Sequence, residues 1–203
     1  MATKRRMGPE NAAKRAALLE AVEALMLEEG YAALSARNVA RRAGLKYQIV
    51  FYYFETMDDL LLAAYRRRTQ YVLDQIEEAL ASPKPLHAFW QLWSDPEGAA
   101  LTIEYMALSN HNEMIRAETA AFGEQMRQLV AKRLSEVVKG TVPDNQAFTG
   151  LGVTGSLVSI GAILGFESAI GIEGGHRETK ALVDWCVNRL EPNRARSVTV
   201  SEA

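Results

Sequence analysis

Apolar residues Leu18, Leu19, Val22, Leu25 and Met26 recur at spacings of three and four, which predicts a helix with one buried stripe over about Asn11 to Glu29. Gly30 ends it. Ser35 is placed to cap a short second helix, Ala36–Ala43, because its hydroxyl can accept from an unpaired backbone N–H, and Gly44 supplies the left-handed residue that stops it. A third helix runs from about Lys46 to Tyr53. Thr56 caps a fourth, with Asp58 and Asp59 at its positive dipole end, and the pattern continues to about Ala81. Ser82-Pro83-Lys84-Pro85 breaks it. Leu86–Ser94 reads as a fifth helix, and Pro96, pre-organised for a first helical position, restarts the chain into a sixth that reaches Ser109. After the polar corner Asn110-His111-Asn112, Glu113–Lys139 is long and amphipathic and ends at Gly140-Thr141-Val142-Pro143. Asp144 opens an eighth helix, closed by Gly171 to Gly175, and a ninth spans about His176 to Arg189. A polar tail begins at Glu191-Pro192, and residues 193–203 are expected to be disordered. Nine helices and no convincing strand predict an all-α protein.

Composition changes this picture little, whereas charge distribution changes it more. At 48% hydrophobic and 24% charged the chain is globular in type, which excludes a disordered or collagen-like protein. The net charge of -2 conceals an asymmetry: residues 1–55 hold 9 Lys/Arg against 6 Asp/Glu, and the remainder 14 against 19. That step coincides with the end of the third helix. It suggests a small basic domain, 1–55, followed by a larger helical domain, 56–192.

Cys186 is the only cysteine, so no internal disulfide and no Cys-rich metal site is expected, in keeping with a cytoplasmic location. The basic start at Lys4-Arg5-Arg6 is followed by Gly8-Pro9-Glu10-Asn11 rather than an apolar run, so no export signal is expected. Asn145 to Phe166 lacks charge over 22 residues, but two Thr, two Ser and five Gly make its transfer into lipid poor, and no membrane partner is expected.

The two short helices around Gly44 have the form of a helix-turn-helix, in which the second helix enters the DNA major groove. Between Ser35 and Phe54 lie Arg37, Arg41, Arg42 and Lys46 and not one acid, which suits an approach to phosphates. A helical hairpin with merely solvated charges is the alternative. Gly30-Tyr31, then Ser35-Ala36-Arg37-Asn38-Val39-Ala40-Arg41-Arg42-Ala43-Gly44-Leu45, Phe51-Tyr52-Tyr53-Phe54 and Asp59-Leu60-Leu61 resemble the N-terminal region of the tetracycline-repressor (TetR) family of bacterial transcription regulators, over about residues 14–62. Beyond residue 62 the agreement is in helix number and length only.

The resemblance implies a homodimer that binds a palindromic double-stranded operator, blocks transcription, and lets go when a small molecule occupies the helical body. Ser35 and Arg37 at the start of the second helix, and Lys46, Tyr47 and Gln48 at the start of the third, are then the DNA-facing residues, with Tyr52 and Tyr53 at backbone-contacting positions. Gln48 can pair with adenine N6 and N7, and the Tyr47 ring can meet a thymine methyl. Lys4, Arg5 and Arg6 suit either an arm reaching a minor groove or a solvated start. Leu45, Val50, Phe51 and Phe54 are assigned to the core. Two positions depart from the family pattern: Lys46 replaces a small hydroxyl residue, and Met57 a phosphate-binding Lys.

In the body, Trp90, Trp93, Tyr105, Met106 and Phe122, with His111 as a polar orienter, are candidates to hold an apolar or amphipathic effector, with plain core packing as the alternative. Arg116, Arg127, Lys132 and Arg133 leave an acyl-CoA-like ligand open. The small residues of the eighth helix cost helix propensity but let another backbone come close. The resemblance places a dimer interface there: Gly155, Ser159, Gly161 and Gly165, with Trp185 on the ninth helix; burial within one subunit is the competing account. Three scattered histidines (His87, His111, His176) and no phosphate loop argue against an enzyme, and no cofactor or metal is expected. A helical adaptor without DNA-binding activity is the remaining rival.

Overall fold

A computed structural model of the 203-residue chain describes residues 9–96, 98–139 and 148–192. Among them are nine α-helices and no strand: α1 Pro9–Glu29, α2 Ala36–Arg42, α3 Gln48–Tyr53, α4 Met57–Ala81, α5 Pro85–Trp93, α6 Ala99–Ser109, α7 Glu113–Val138, α8 Gly150–Ala169 and α9 His176–Leu190, with a 3₁₀ turn at Tyr31–Ala33. The basic arm at residues 4–6, the expected helix start at Asp144 and the tail 193–203 lie outside the described residues.

Local chemistry explains several of the helix ends. Thr56 and Asp59 form a reciprocal cap: the Thr56 Oγ1 accepts from the Asp59 N–H at 3.1 Å while the Asp59 carboxylate accepts from the Thr56 N–H at 3.0 Å. Thr149 caps α8, its Oγ1 accepting from the Gly152 N–H at 3.0 Å. At α6 the expectation is corrected. The helix starts at Ala99 rather than at Pro96, because Gly98 turns the chain with φ +87° immediately before it.

Two compact units emerge, one formed by Met1–Leu73 with Glu97–Glu124 and the other by Asp74–Pro96 with Gln125–Ala203. Helices α4 and α7 contribute to both. The division differs from the charge step near residue 55, and the reason is apolar. In the first unit Leu18, Val22, Leu25 and Met26 of α1 and Val39, Val50 and Phe54 share one core with Leu60 and Ala64 of α4, Leu101 and Tyr105 of α6 and Ile115 of α7. The second unit buries Leu86, Phe89 and Trp90 of α5, Val130 and Leu134 of α7, Leu157 of α8 and Val187 of α9.

Three of the four assignments around α3 hold: Val50 and Phe54 are buried, and Leu45 packs partly buried against the same core. Phe51 is a correction. It is 44% exposed, because a helix as short as α3 turns Val50 toward α1 and α2 and leaves the next position outside.

Candidate functional site

The turn between α2 and α3 is fixed by backbone geometry that the sequence dictates. Ser35 sits in extended conformation, and its Oγ accepts from the Asn38 N–H at 3.2 Å, which opens α2. The Asn38 side chain donates back to the Ala33 carbonyl at 2.8 Å. At the other end Gly44 has φ +67°. The Gly44 N–H donates to the Arg41 carbonyl and the Leu45 N–H to the Ala40 carbonyl, the paired bonds of a Schellman stop. A Cβ at Gly44 would meet nothing within 4 Å, so glycine is required there by conformation and not by space.

α3 begins at Gln48, two residues later than expected. Lys46 and Tyr47 form the turn leading into it, their carbonyls accepting from the Ile49 and Val50 N–H groups at 2.9 and 3.2 Å. Arg37, Lys46, Tyr47, Gln48, Phe51 and Tyr52 are exposed. Tyr53 is not free in the same way: it is half-buried, and its hydroxyl donates to the Asn11 Oδ1 at 3.0 Å, pinning α3 to α1. Arg42 is held by Glu28 at 2.6 Å, whereas among the described residues Arg37 and Lys46 have no acidic partner. This face can therefore offer two unpaired cations, an amide and three aromatic rings to a polyanion.

Within the same unit three contacts tie the module to α6 and to the corner before α7. The Glu104 carboxylate accepts from the Tyr31 N–H at 2.7 Å. His111 is exposed and stacks on the Tyr31 ring at 5.9 Å, with 19° between the planes. The Asn112 Nδ2 donates to Asp58 at 2.7 Å, and its Oδ1 accepts from the Ile115 N–H at the start of α7. Beside them burial pushes the Glu23 carboxyl above the usual carboxylate range, and it also raises the Tyr105 phenol. Among the described residues neither the buried Glu23 Oε1 nor the buried Tyr105 hydroxyl has a hydrogen-bond partner.

The six effector candidates fall into different units. Tyr105, Met106, His111 and Phe122 belong to the first, where Tyr105 is a core residue with its ring edge against Tyr65, Phe122 is half-buried and Met106 is exposed. Trp90 and Trp93 belong to the second. Trp90 is buried with its Nε1 donating to Asp184 at 2.8 Å, and the Trp93 Nε1 donates to the Val158 carbonyl at 3.1 Å. A link invisible in the sequence joins α5 to the end of α9. The Glu191 carboxylate accepts from the Leu86 and His87 N–H groups at 3.4 and 3.1 Å and pairs with the His87 ring at 2.8 Å, filling the role of a cap from a distance.

The small residues of α8 divide by direction. Gly161 is corrected as an interface residue: a Cβ there would lie 2.6 Å from the Trp93 Cδ1 and 2.7 Å from the Trp93 carbonyl oxygen, so it faces α5 of its own chain. Gly150 likewise abuts Ala131 and Ser135 of α7, and Gly165 is buried. Leu151, Gly155, Ser159 and Ile163, each four residues apart, face outward, and a Cβ at Gly155 would meet nothing. On α9 Leu182 and Trp185 are 63% and 64% exposed. By length and composition alone α8 could cross a membrane; its buried face, from Val153 to Leu164, packs inside this unit.

Comparison with known proteins agrees with the turn geometry. Residues 18–64 match the family model for bacterial regulatory proteins, tetR family. A 65-residue stretch is 37% identical to the HTH-type transcriptional regulator PksA of Bacillus subtilis (strain 168), a match that spans 32% of each chain. In fold the chain is similar to a putative transcriptional regulator of Saccharomonospora viridis in complex with choline, with TM-score 0.73 and 19% identity over 87% of this chain and 96% of that one. A putative transcriptional regulator from Pseudomonas aeruginosa PAO1 gives TM-score 0.71 and 20% identity over 90% and 93%, and a TetR transcription regulator from Haloarcula marismortui 0.69 and 19% over 87% and 96%. These are transcription regulators rather than enzymes. Residues 18–64, with a capped α2 and a Schellman turn at Gly44, match the N-terminal module of the tetR family of bacterial regulatory proteins, and over the rest of the chain the likeness is one of fold.

Proposed function

We propose that the protein is a ligand-responsive, cytoplasmic transcriptional repressor that binds a palindromic operator as a homodimer and is released by a small apolar or amphipathic effector. The observation that carries DNA binding is the exposed set Arg37, Lys46, Tyr47 and Gln48 around a rigid turn, with no acid from Ser35 to Phe54. Gln48 pairs with an adenine edge, Arg37 with guanine or phosphate, and Lys46 and Tyr52 with the backbone. The Ser35 hydroxyl accepts from the Asn38 N–H, which leaves its own proton to donate to a phosphate. Tyr53, engaged with Asn11, acts by seating α3. Residues 1–55 form the DNA-binding module in this reading and 56–192 the effector and dimerisation domain.

The outward stripe Leu151, Gly155, Ser159 and Ile163 with Leu182 and Trp185 supports dimerisation through α8 and α9. A two-fold dimer presents its two α3 helices about 34–36 Å apart, one DNA turn, so each protomer reads a half-site. An effector releases DNA only through its difference in affinity between the free and operator-bound states. Glu104, His111 and Asn112, which grip Tyr31 and Asp58, are the contacts through which movement of α6 reaches the module.

The test is Gln48→Ala. On the selected operator it is expected to cost about 1–3 kcal/mol and to relax preference at one base pair per half-site. Unchanged sequence preference removes Gln48 from the reading surface.

A further inference from the structure

Glu23 lies on α1 beside the core that this helix shares with α4 and α6, and the DNA-binding reading makes no use of it. Its two carboxyl oxygens have different surroundings. Oε2 is 3.7 Å from the Arg67 Nη2 of α4, a partly exposed guanidinium that Glu20 also engages at 3.2 Å. Oε1 is buried and, like the Tyr105 hydroxyl of α6, has no hydrogen-bond partner among the described residues. The charged groups acting on Glu23 are Glu20 of its own helix and Arg67 and Arg68 of α4, while α6 presents the Tyr105 phenol. A neutral carboxyl can occupy such a place at modest cost. A carboxylate with one oxygen buried and unpartnered is far more costly, because the nearby cation is shared and partly in water. Burial accordingly outweighs the two arginines and keeps the proton on Glu23 above the usual carboxylate range.

α1 is also the frame of the reading module. Asn11 accepts from the Tyr53 hydroxyl of α3, Glu28 holds Arg42 of α2, and Leu18, Val22 and Leu25 share one core with Val39 and Val50 and with Leu101 and Tyr105 of α6. We propose that Glu23 is a proton-operated clasp between α1 and α6: uncharged, it stays packed against the core and holds the module to α6; ionised, it turns out toward water and loosens that contact, so operator binding weakens as pH rises. The side chain is 20% exposed, so rotation about its own bonds brings the carboxylate to solvent. This rests on the DNA-binding reading above and adds a signal, the proton, that acts on it. A loosened module must be ordered again on the duplex, and the cost of that ordering is subtracted from the binding free energy.

The experiment measures the affinity of the full-length protein for the duplex that it enriches from a random pool, from about pH 5 to about pH 8 at one salt concentration, beside a carboxyl-carbon NMR titration of glutamate-labelled protein. The NMR signal absent from Glu23→Gln is expected to titrate above the ordinary carboxylate range. The parent is expected to bind about tenfold more weakly at the upper end than at the lower, the effect of a tenfold difference in proton affinity between bound and free protein. Any other group that changes charge over this range is common to the parent and to Glu23→Gln, which keeps the shape without the charge. The variant is therefore expected to lose this fall and to bind about tenfold more tightly than the parent at the upper end. Arg67→Met withdraws a cation that favours the carboxylate and moves the fall to higher pH. An affinity independent of pH, a fall of equal size in the parent and Glu23→Gln, a Glu23 signal in the ordinary range, or a fall that Arg67→Met leaves in place overturns the clasp while leaving DNA binding intact. If no sequence is enriched at all, the DNA-binding reading falls and this one with it.

Discussion

Replacing Gly44 with Ala isolates what the turn contributes to placing the recognition helix. Gly44 holds φ +67°, and a methyl group at its Cβ position would meet no atom within 4 Å. The cost is therefore conformational alone, about 1–2 kcal/mol for an L side chain in the left-handed region. The Gly44 and Leu45 N–H bonds to the Arg41 and Ala40 carbonyls hold the conformation in place, so the turn cannot relax without losing both. For a chain of this length about 2–8 °C of melting temperature is expected to be lost. Gly44→Asn, which tolerates the same backbone, should lose less than Gly44→Ala. Thermal unfolding of the three proteins under one buffer reads the effect directly. A Gly44→Ala protein as stable as the parent, or an Asn variant less stable than the Ala one, would refute the conformational argument.

Other consequences are sharper elsewhere in the chain. Gly161→Ala drives a methyl into the Trp93 ring and carbonyl, and a loss of about 1–3 kcal/mol by urea denaturation is expected; Gly155→Ala, facing open space, should be neutral or slightly stabilising. Trp185→Glu places a charge on the outward face of α9 and is expected to weaken self-association by about 2 kcal/mol, or roughly thirtyfold, as measured by sedimentation. Burial raises the folded-state pKa of Glu23, so the native state holds its proton more tightly than the unfolded chain. Its contribution is complete below the ordinary carboxylate range and is lost as pH rises through the raised value. Glu23→Gln should remove that part of the pH dependence and leave stability at neutral pH unchanged or higher, read from urea midpoints across this range.

Signals along this chain differ in range. Ser35, Gly44 and the Thr56–Asp59 pair act within four residues of themselves, and all three helix ends stand where local chemistry puts them. Phe51 was not legible. Its neighbours are apolar, and only the placement of α1 and α2 around Val50 decides which side of a six-residue helix is left open. The glycines of α8 all reported close approach, yet whether the approaching surface was α5, α7 or open space depended on residues far away in sequence, Trp93 and Ser135 among them. The same holds for His111, whose aromatic partner Tyr31 lies 80 positions earlier, and for Glu191 at the start of α5. Division into compact units followed Leu101, Tyr105 and Ile115, which join the N-terminal core across half the chain, and no charge step marks that.

If the face around Gln48 reads DNA, the protein binds a specific duplex as a two-fold pair. The decisive measurement is enrichment of genomic fragments by the purified protein, followed by affinity measurements on the enriched duplex at two salt concentrations. A palindrome with half-site centres about one turn apart, bound more weakly by orders of magnitude as salt rises from about 50 to 200 mM, is the predicted result. Failure to enrich any sequence, or binding indifferent to salt, would contradict it.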